Sequence, residues 1–142
     1  MTAINVETRY FPSSRASLPA LALQVTCLSD SYMLWIGVTD NSEENAGRAT
    51  LQGHLGKDWV VAMPPWKTLP GTGTQLLRSS SSDVALSIAT RLARRFGKQI
   101  FLSVDVPTSI GDDCGILVDV EKGLVETLKE IEGKSKSKSD TL

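Results

Sequence analysis

Histidine is almost missing from this sequence: His54 is the only one, and Cys27 and Cys114 are the only cysteines. Structural and catalytic zinc sites need several Cys and His side chains at short spacings. One histidine and two remote cysteines do not supply them, so no metal centre is expected. A Ser-His-Asp or Cys-His device would have to use His54, which stands in the glycine-bounded polar run Gly53-His54-Leu55-Gly56. No serine carries a Gly-x-Ser-x-Gly elbow, so His54 is read as a solvated loop histidine and no catalytic residue is assigned. Asp112-Asp113 is adjacent rather than alternating, a poor calcium loop and a good polar turn. Gly71-Thr72-Gly73 lacks the Lys-Ser/Thr of a phosphate loop and the third glycine of a dinucleotide turn; Gly56-Lys57 is followed by Asp58. No cofactor is expected.

An excess of charge of either sign is lacking too. Fifteen Lys and Arg against sixteen Asp and Glu leave a net charge of −1, so no global field draws the chain to nucleic acid or an anionic membrane. Long apolar runs are absent: nothing approaches the roughly 18 residues of a membrane span. Met1–Glu7 has no basic region leading into an apolar core, so it is not read as a signal peptide. The two cysteines fall in apolar runs and read as reduced, buried thiols rather than a disulfide. These features point to the cytosol, with the nucleus also open to the chain.

What is present is core material. The chain has 142 residues, 41% hydrophobic and 22% charged, enough for one domain with a real core. Leu21–Cys27 and Tyr32–Val38 flank Leu28-Ser29-Asp30-Ser31 and read as an antiparallel hairpin. A sheet with one wet face alternates apolar and polar residues. Here Tyr32, Leu34, Ile36 and Val38 line one face while Met33 and Trp35 stand on the other, so both faces want cover.

Residues 1–17 are expected to be loosely ordered, with Val6, Tyr10 and Phe11 able to form a short strand. The domain proper is placed at 18–133. Thr39–Lys57 is polar and reads as a long loop. Asp58–Met63 is a third strand, closed by Pro64-Pro65, and Thr74–Arg78 is a short edge strand. Asp83–Phe96 is an amphipathic helix: Val84, Ala85, Ile88, Ala89, Leu92, Ala93 and Phe96 make one apolar stripe. Asp83 is a cap candidate, Arg91, Arg94 and Arg95 suit the negative end of the dipole, and Gly97 is a left-handed stop. Gln99–Val104 and Cys114–Val120 read as strands, and a second helix runs from about Val120 to Glu132, ended by Gly133. Residues 134–142, rich in Lys and Ser, read as a disordered tail. The fold class expected is α+β: an antiparallel sheet of about five or six strands, two helices on one face, and the other face available for packing against a second protein.

Two pieces together carry a resemblance. Leu28-Ser29-Asp30-Ser31 runs into Leu34-Trp35-Ile36-Gly37. Ala89-Thr90-Arg91-Leu92-Ala93-Arg94-Arg95 runs into Lys98-Gln99-Ile100-Phe101-Leu102-Ser103. In this order and spacing they resemble the fungal or plant-like branch of the proteasome assembly chaperone 4 family, over roughly Leu18 to Ile131. Thr39–Lys57 is longer than the family's pattern and looks like an insertion.

The resemblance implies a non-catalytic chaperone. It would heterodimerise with an assembly chaperone 3-type subunit by sheet-on-sheet packing. It would also bind 20S proteasome alpha subunits while the alpha-ring assembles. Met33, Trp35, Ile100 and Leu102 are expected on the dimer-facing sheet, with Leu34, Ile36 and Phe101 as the alternative set. Trp66, after Pro64-Pro65, is an interface candidate. Arg91, Arg94, Arg95 and Lys98 are the candidate alpha-subunit contact, against the simpler reading of a solvated helix end. Nucleic acid fits them less well, because aromatic residues do not interleave with them. The rival readings are a heterodimerising scaffold or adaptor of a trafficking or signalling complex and, less well supported, a small enzyme using Lys67–Ser82 as a lid.

Overall fold

The hairpin forms as its sequence pattern requires. The computed structural model describes residues 4–14, 17–39, 44, 46–53, 57–78, 83–106 and 114–140, without the side chains of 114 and 136–140. Strand β2 (Ala20–Leu28) pairs antiparallel with β3 (Ser31–Thr39), Leu28 opposite Ser31. The two-residue turn is possible because Asp30 takes a left-handed φ of 53°, a conformation its short polar side chain tolerates.

Strand β1 (Asn5–Phe11) adds to the outer edge of β2, Tyr10 opposite Ala22. The loosely ordered start expected for residues 1–17 is therefore a strand over most of its described length. The period-two pattern Val6-x-Thr8-x-Tyr10 is its signature.

Strand β4 (Trp59–Met63) pairs with β5 (Thr72–Leu77), and β6 (Gln99–Asp105) lies between β3 and β4. The six-stranded order is β1-β2-β3-β6-β4-β5, with β3·β6 the one parallel pairing. A central position explains why β3 and β6 carry apolar residues on both faces.

Helix α2 (Val84–Phe96) and helix α3 (Cys114–Asp140) cover one face. Beneath them lie Leu21, Leu23 and Val25 of β2, Leu34 and Ile36 of β3, Ile100 and Leu102 of β6, and Val60 and Ala62 of β4, all buried. Helix α2 comes close to β5 because Gly73 has no side chain: a Cβ there would stand 2.7 Å from Leu86 Cδ1 and 3.1 Å from Thr90 Oγ1. Gly97 closes α2 in the left-handed region, its N–H donating to Ala93 O at 2.9 Å. Asp83 precedes the helix without a side-chain cap; its carboxylate takes Arg78 instead.

Three expectations are corrected. Cys114–Val120 is not a strand but the first turns of α3, since Ile116, Val120, Leu124 and Leu128 recur every fourth residue and all are fully buried. Gly133 does not end that helix, which continues to Asp140 where a disordered tail was expected. A glycine inside a helix costs only about 1 kcal/mol, and Lys134 pairs across it with Glu130 at 3.6 Å. The polar Thr39–Lys57 stretch contains a third helix, α1 (Ala46–Gln52).

Candidate functional site

The register assigns the two faces. Opposite the helix-covered core lie Tyr10 of β1, Ala22 and Gln24 of β2, Met33 and Trp35 of β3, Phe101 and Ser103 of β6, and Trp59 and Val61 of β4. Met33 stands beside Phe101, and Trp35 beside Ser103. The sequence reading grouped Met33 and Trp35 with Ile100 and Leu102. That grouping is corrected: Ile100 and Leu102 are fully buried on the helix side with Leu34 and Ile36. The alternative set mixed faces as well, because Phe101 belongs with Met33. The error lay in the phase between β3 and β6, which a one-residue slip inverts.

Helix α1 covers one corner of this second face. Ala46 packs on Ala22 and Trp35, with Tyr10 and Ala49 at the margin. The indole of Trp35 is gripped closely, since a Cβ on Gly37 would come within 2.5 Å of the ring and one on Gly53 within 2.2 Å. Trp35 is thereby buried within this chain. Met33, Phe101, Val61 and Trp59 remain half-buried beyond α1, and Met63 and Leu77 are exposed at the rim. The second face is thus a partly covered apolar surface running from β3 across β6 and β4 to β5.

Trp66 stands apart from both faces. It is 66% exposed in the β4–β5 connection, and Leu69 is 63% exposed. Their backbones bond reciprocally, Trp66 N to Leu69 O at 3.1 Å and Leu69 N to Trp66 O at 2.8 Å. Lys67 turns the tip at φ 53° and lays its Nζ 5.5 Å from the Trp66 ring.

The four cations of the α2 end divide into two kinds. Arg91 grips Glu121 of α3 through Nε (2.6 Å) and a terminal nitrogen (2.9 Å), and donates to Ser87 Oγ at 2.7 Å. The bond to Glu121 raises its pKa further. Lys98 sits 3.5 Å from Glu132 and 5.5 Å over the Tyr32 ring, while Tyr32 donates its hydroxyl to Glu132 at 2.6 Å. Burial, then the bond to Glu132, pushes the Tyr32 pKa well above its ordinary value. Arg91 and Lys98 therefore serve to hold α3 in place, which their sequence neighbours did not reveal because both glutamates lie about thirty residues on. Arg94 and Arg95 are exposed; Arg95 stacks 5.9 Å from Phe96. They border a groove of about 290 Å³ between α2 and α3, floored by Leu92 and Val125.

Among the described residues no group of three or more His, Cys, Asp or Glu is placed to hold a metal, and no helix is long and apolar enough to cross a membrane. His54, Gly56 and Asp112-Asp113 lie outside the described residues. Cys27 is a free, half-buried thiol whose pKa is raised by burial. Gly73, of the Gly71-Thr72-Gly73 run, is the β5 position that admits α2.

Residues 20–106 match the family model for proteasome assembly chaperone 4. That range, more than half of the chain, begins with β2 and ends just beyond β6. Among solved structures, a chain of the yeast complex described as a novel chaperone complex for 20S proteasome assembly has a similar fold. Its TM-score is 0.61 at 17% identity, covering 89% of this chain and 96% of that one. No curated protein matches.

Proposed function

Since the chain belongs to the proteasome assembly chaperone 4 family, we propose that it acts in 20S proteasome assembly as one half of a heterodimer with an assembly chaperone 3-type subunit. In this reading the pair binds alpha subunits and promotes formation of the alpha-ring. The observation that carries the reading is the second sheet face. The family match spans the strands that build it, and Met33, Phe101, Val61 and Met63 leave it apolar where α1 does not reach. Burying such a face against a second sheet is favourable by roughly 25 cal/mol per Å² removed from water, and obligate contacts are the more apolar kind. Helix α1 restricts the partner to the β3–β6–β4–β5 half.

The work is binding, and no bond need be made or broken. The alpha-subunit contact must be displaceable as the particle matures, which suits a polar-rimmed surface. Affinity capture of the tagged chain from its own cells, read by mass spectrometry, tests the reading. A small α+β partner with alpha-type and few beta-type subunits is expected. Capture of an unrelated complex without alpha subunits would overturn it.

A further inference from the structure

One end of the sheet gathers features that the fold does not use. Ala62 pairs with Ile100, so the end of β4 lies beside the start of β6. The β4–β5 tip therefore stands at the same end as the last turn of α2. The tip offers Trp66 and Leu69, both largely exposed; the helix end offers Arg94 and Arg95. Lys67 adds a third cation. Among the described residues none of these three cations has a carboxylate partner within 4 Å. The only carboxylate from the neighbouring β2–β3 turn is Asp30, brought to this end by the Ser31–Gln99 pairing.

The tip is also built to be rigid. Two mutual backbone bonds close it, and Pro64, Pro65 and Pro70 flank it. Prolines lower the freedom of the unbound chain. An anchor already held in one shape loses little entropy on binding, and Trp is one of the residue types enriched at hot spots.

We propose that this end of the sheet is a docking surface for a folded acidic partner surface: Trp66 and Leu69 enter an apolar pocket, and Lys67, Arg94 and Arg95 meet carboxylates on its rim. The inference rests on the assembly reading, in which the occupant is an alpha subunit, and separates that contact from the sheet face that meets the chaperone partner.

The test uses the full chain co-expressed with its captured partner and titrated with purified alpha subunits. The variants are Trp66→Ala and the double reversal Arg94→Glu/Arg95→Glu. Trp66→Ala should weaken alpha-subunit binding at least about tenfold, with thermal stability and chaperone pairing unchanged. The double reversal should weaken binding and flatten its dependence on salt. Binding that survives Trp66→Ala, or a salt dependence untouched by the reversal, overturns the docking surface and leaves the assembly reading standing. Wild-type chain that pairs with its partner but binds no alpha subunit overturns both.

Discussion

Phe101 and Leu102 are neighbours in sequence and belong to opposite faces of the sheet, so one pair of substitutions tests the register and the proposed interface together. Leu102 is fully buried between Leu34 and Val60, beneath the helices. Leu102→Ala opens a cavity there, at a cost of about 3 kcal/mol. In a chain of this size that lowers Tm by about 10 °C. Phe101 is half-buried on the face turned away from α2 and α3, beyond the corner that α1 covers. In the isolated chain Phe101→Ala forfeits only part of a ring's transfer energy, about 1 kcal/mol, or about 3 °C. In the proposed heterodimer the same ring would lie within the contact, where truncating an aromatic costs about 2 kcal/mol or more, equivalent to a Kd about thirtyfold weaker. Scanning calorimetry on the chain and a calorimetric titration with its partner read the two quantities separately. Phe101→Ala that destabilises the chain as much as Leu102→Ala while leaving the Kd unchanged would refute the face assignment.

Other expectations follow from single contacts. Tyr32→Phe removes the bond to Glu132 and should cost about 1.5 kcal/mol, seen as a lower urea midpoint and faster amide exchange in the second half of α3. Gly73→Val pushes into Leu86 and Thr90 of α2 and should cost about 1–3 kcal/mol, checked by chemical denaturation. Bonds to Arg9 hold the carboxyls of Glu7 and Glu130 below their ordinary value of 4.5. The stabilisation is therefore present above that pH and lost as pH falls through the folded values. The denaturant midpoint of Arg9→Ala should accordingly drop less between pH 6 and pH 3 than that of the wild type, and an equal drop would exclude the linkage.

Legibility in the sequence followed the strength of the local signal. The β2–β3 hairpin, the apolar stripe of α2 and its Gly97 stop are set by neighbours a few residues apart, and the structure agrees with all three. Cys114–Val120 misled because Cys, Ile and Val favour strands, whereas the spacing Ile116, Val120, Leu124 already had helical period and prevailed through burial. Helix α1 was hidden because its seat is made of Ala46 and Ala49, which fit a close approach to Trp35 without giving an apolar run. The faces of β3 and β6 were beyond sequence reasoning. Each strand alternates, but nothing within either one fixes which phase meets the other. The partners of Arg91 and Lys98 were hidden for a similar reason, since Glu121 and Glu132 reach them only once α3 has docked.

The place of β6 sets the order in which this protein can be made. Strands β1 to β3 form one meander and β4 with β5 forms one hairpin, and no ladder joins the two until β6 lies between them. Because β6 comes after α2 in the chain, a growing polypeptide leaving the ribosome carries two unjoined sheet fragments, each with an open edge, until residue 105 has emerged. Open edges recruit other strands, and pairings between distant segments form slowly. A chain whose family serves to assemble other proteins therefore passes through a vulnerable stage of its own, and early capture of the half-made sheet by the proposed partner would shorten it.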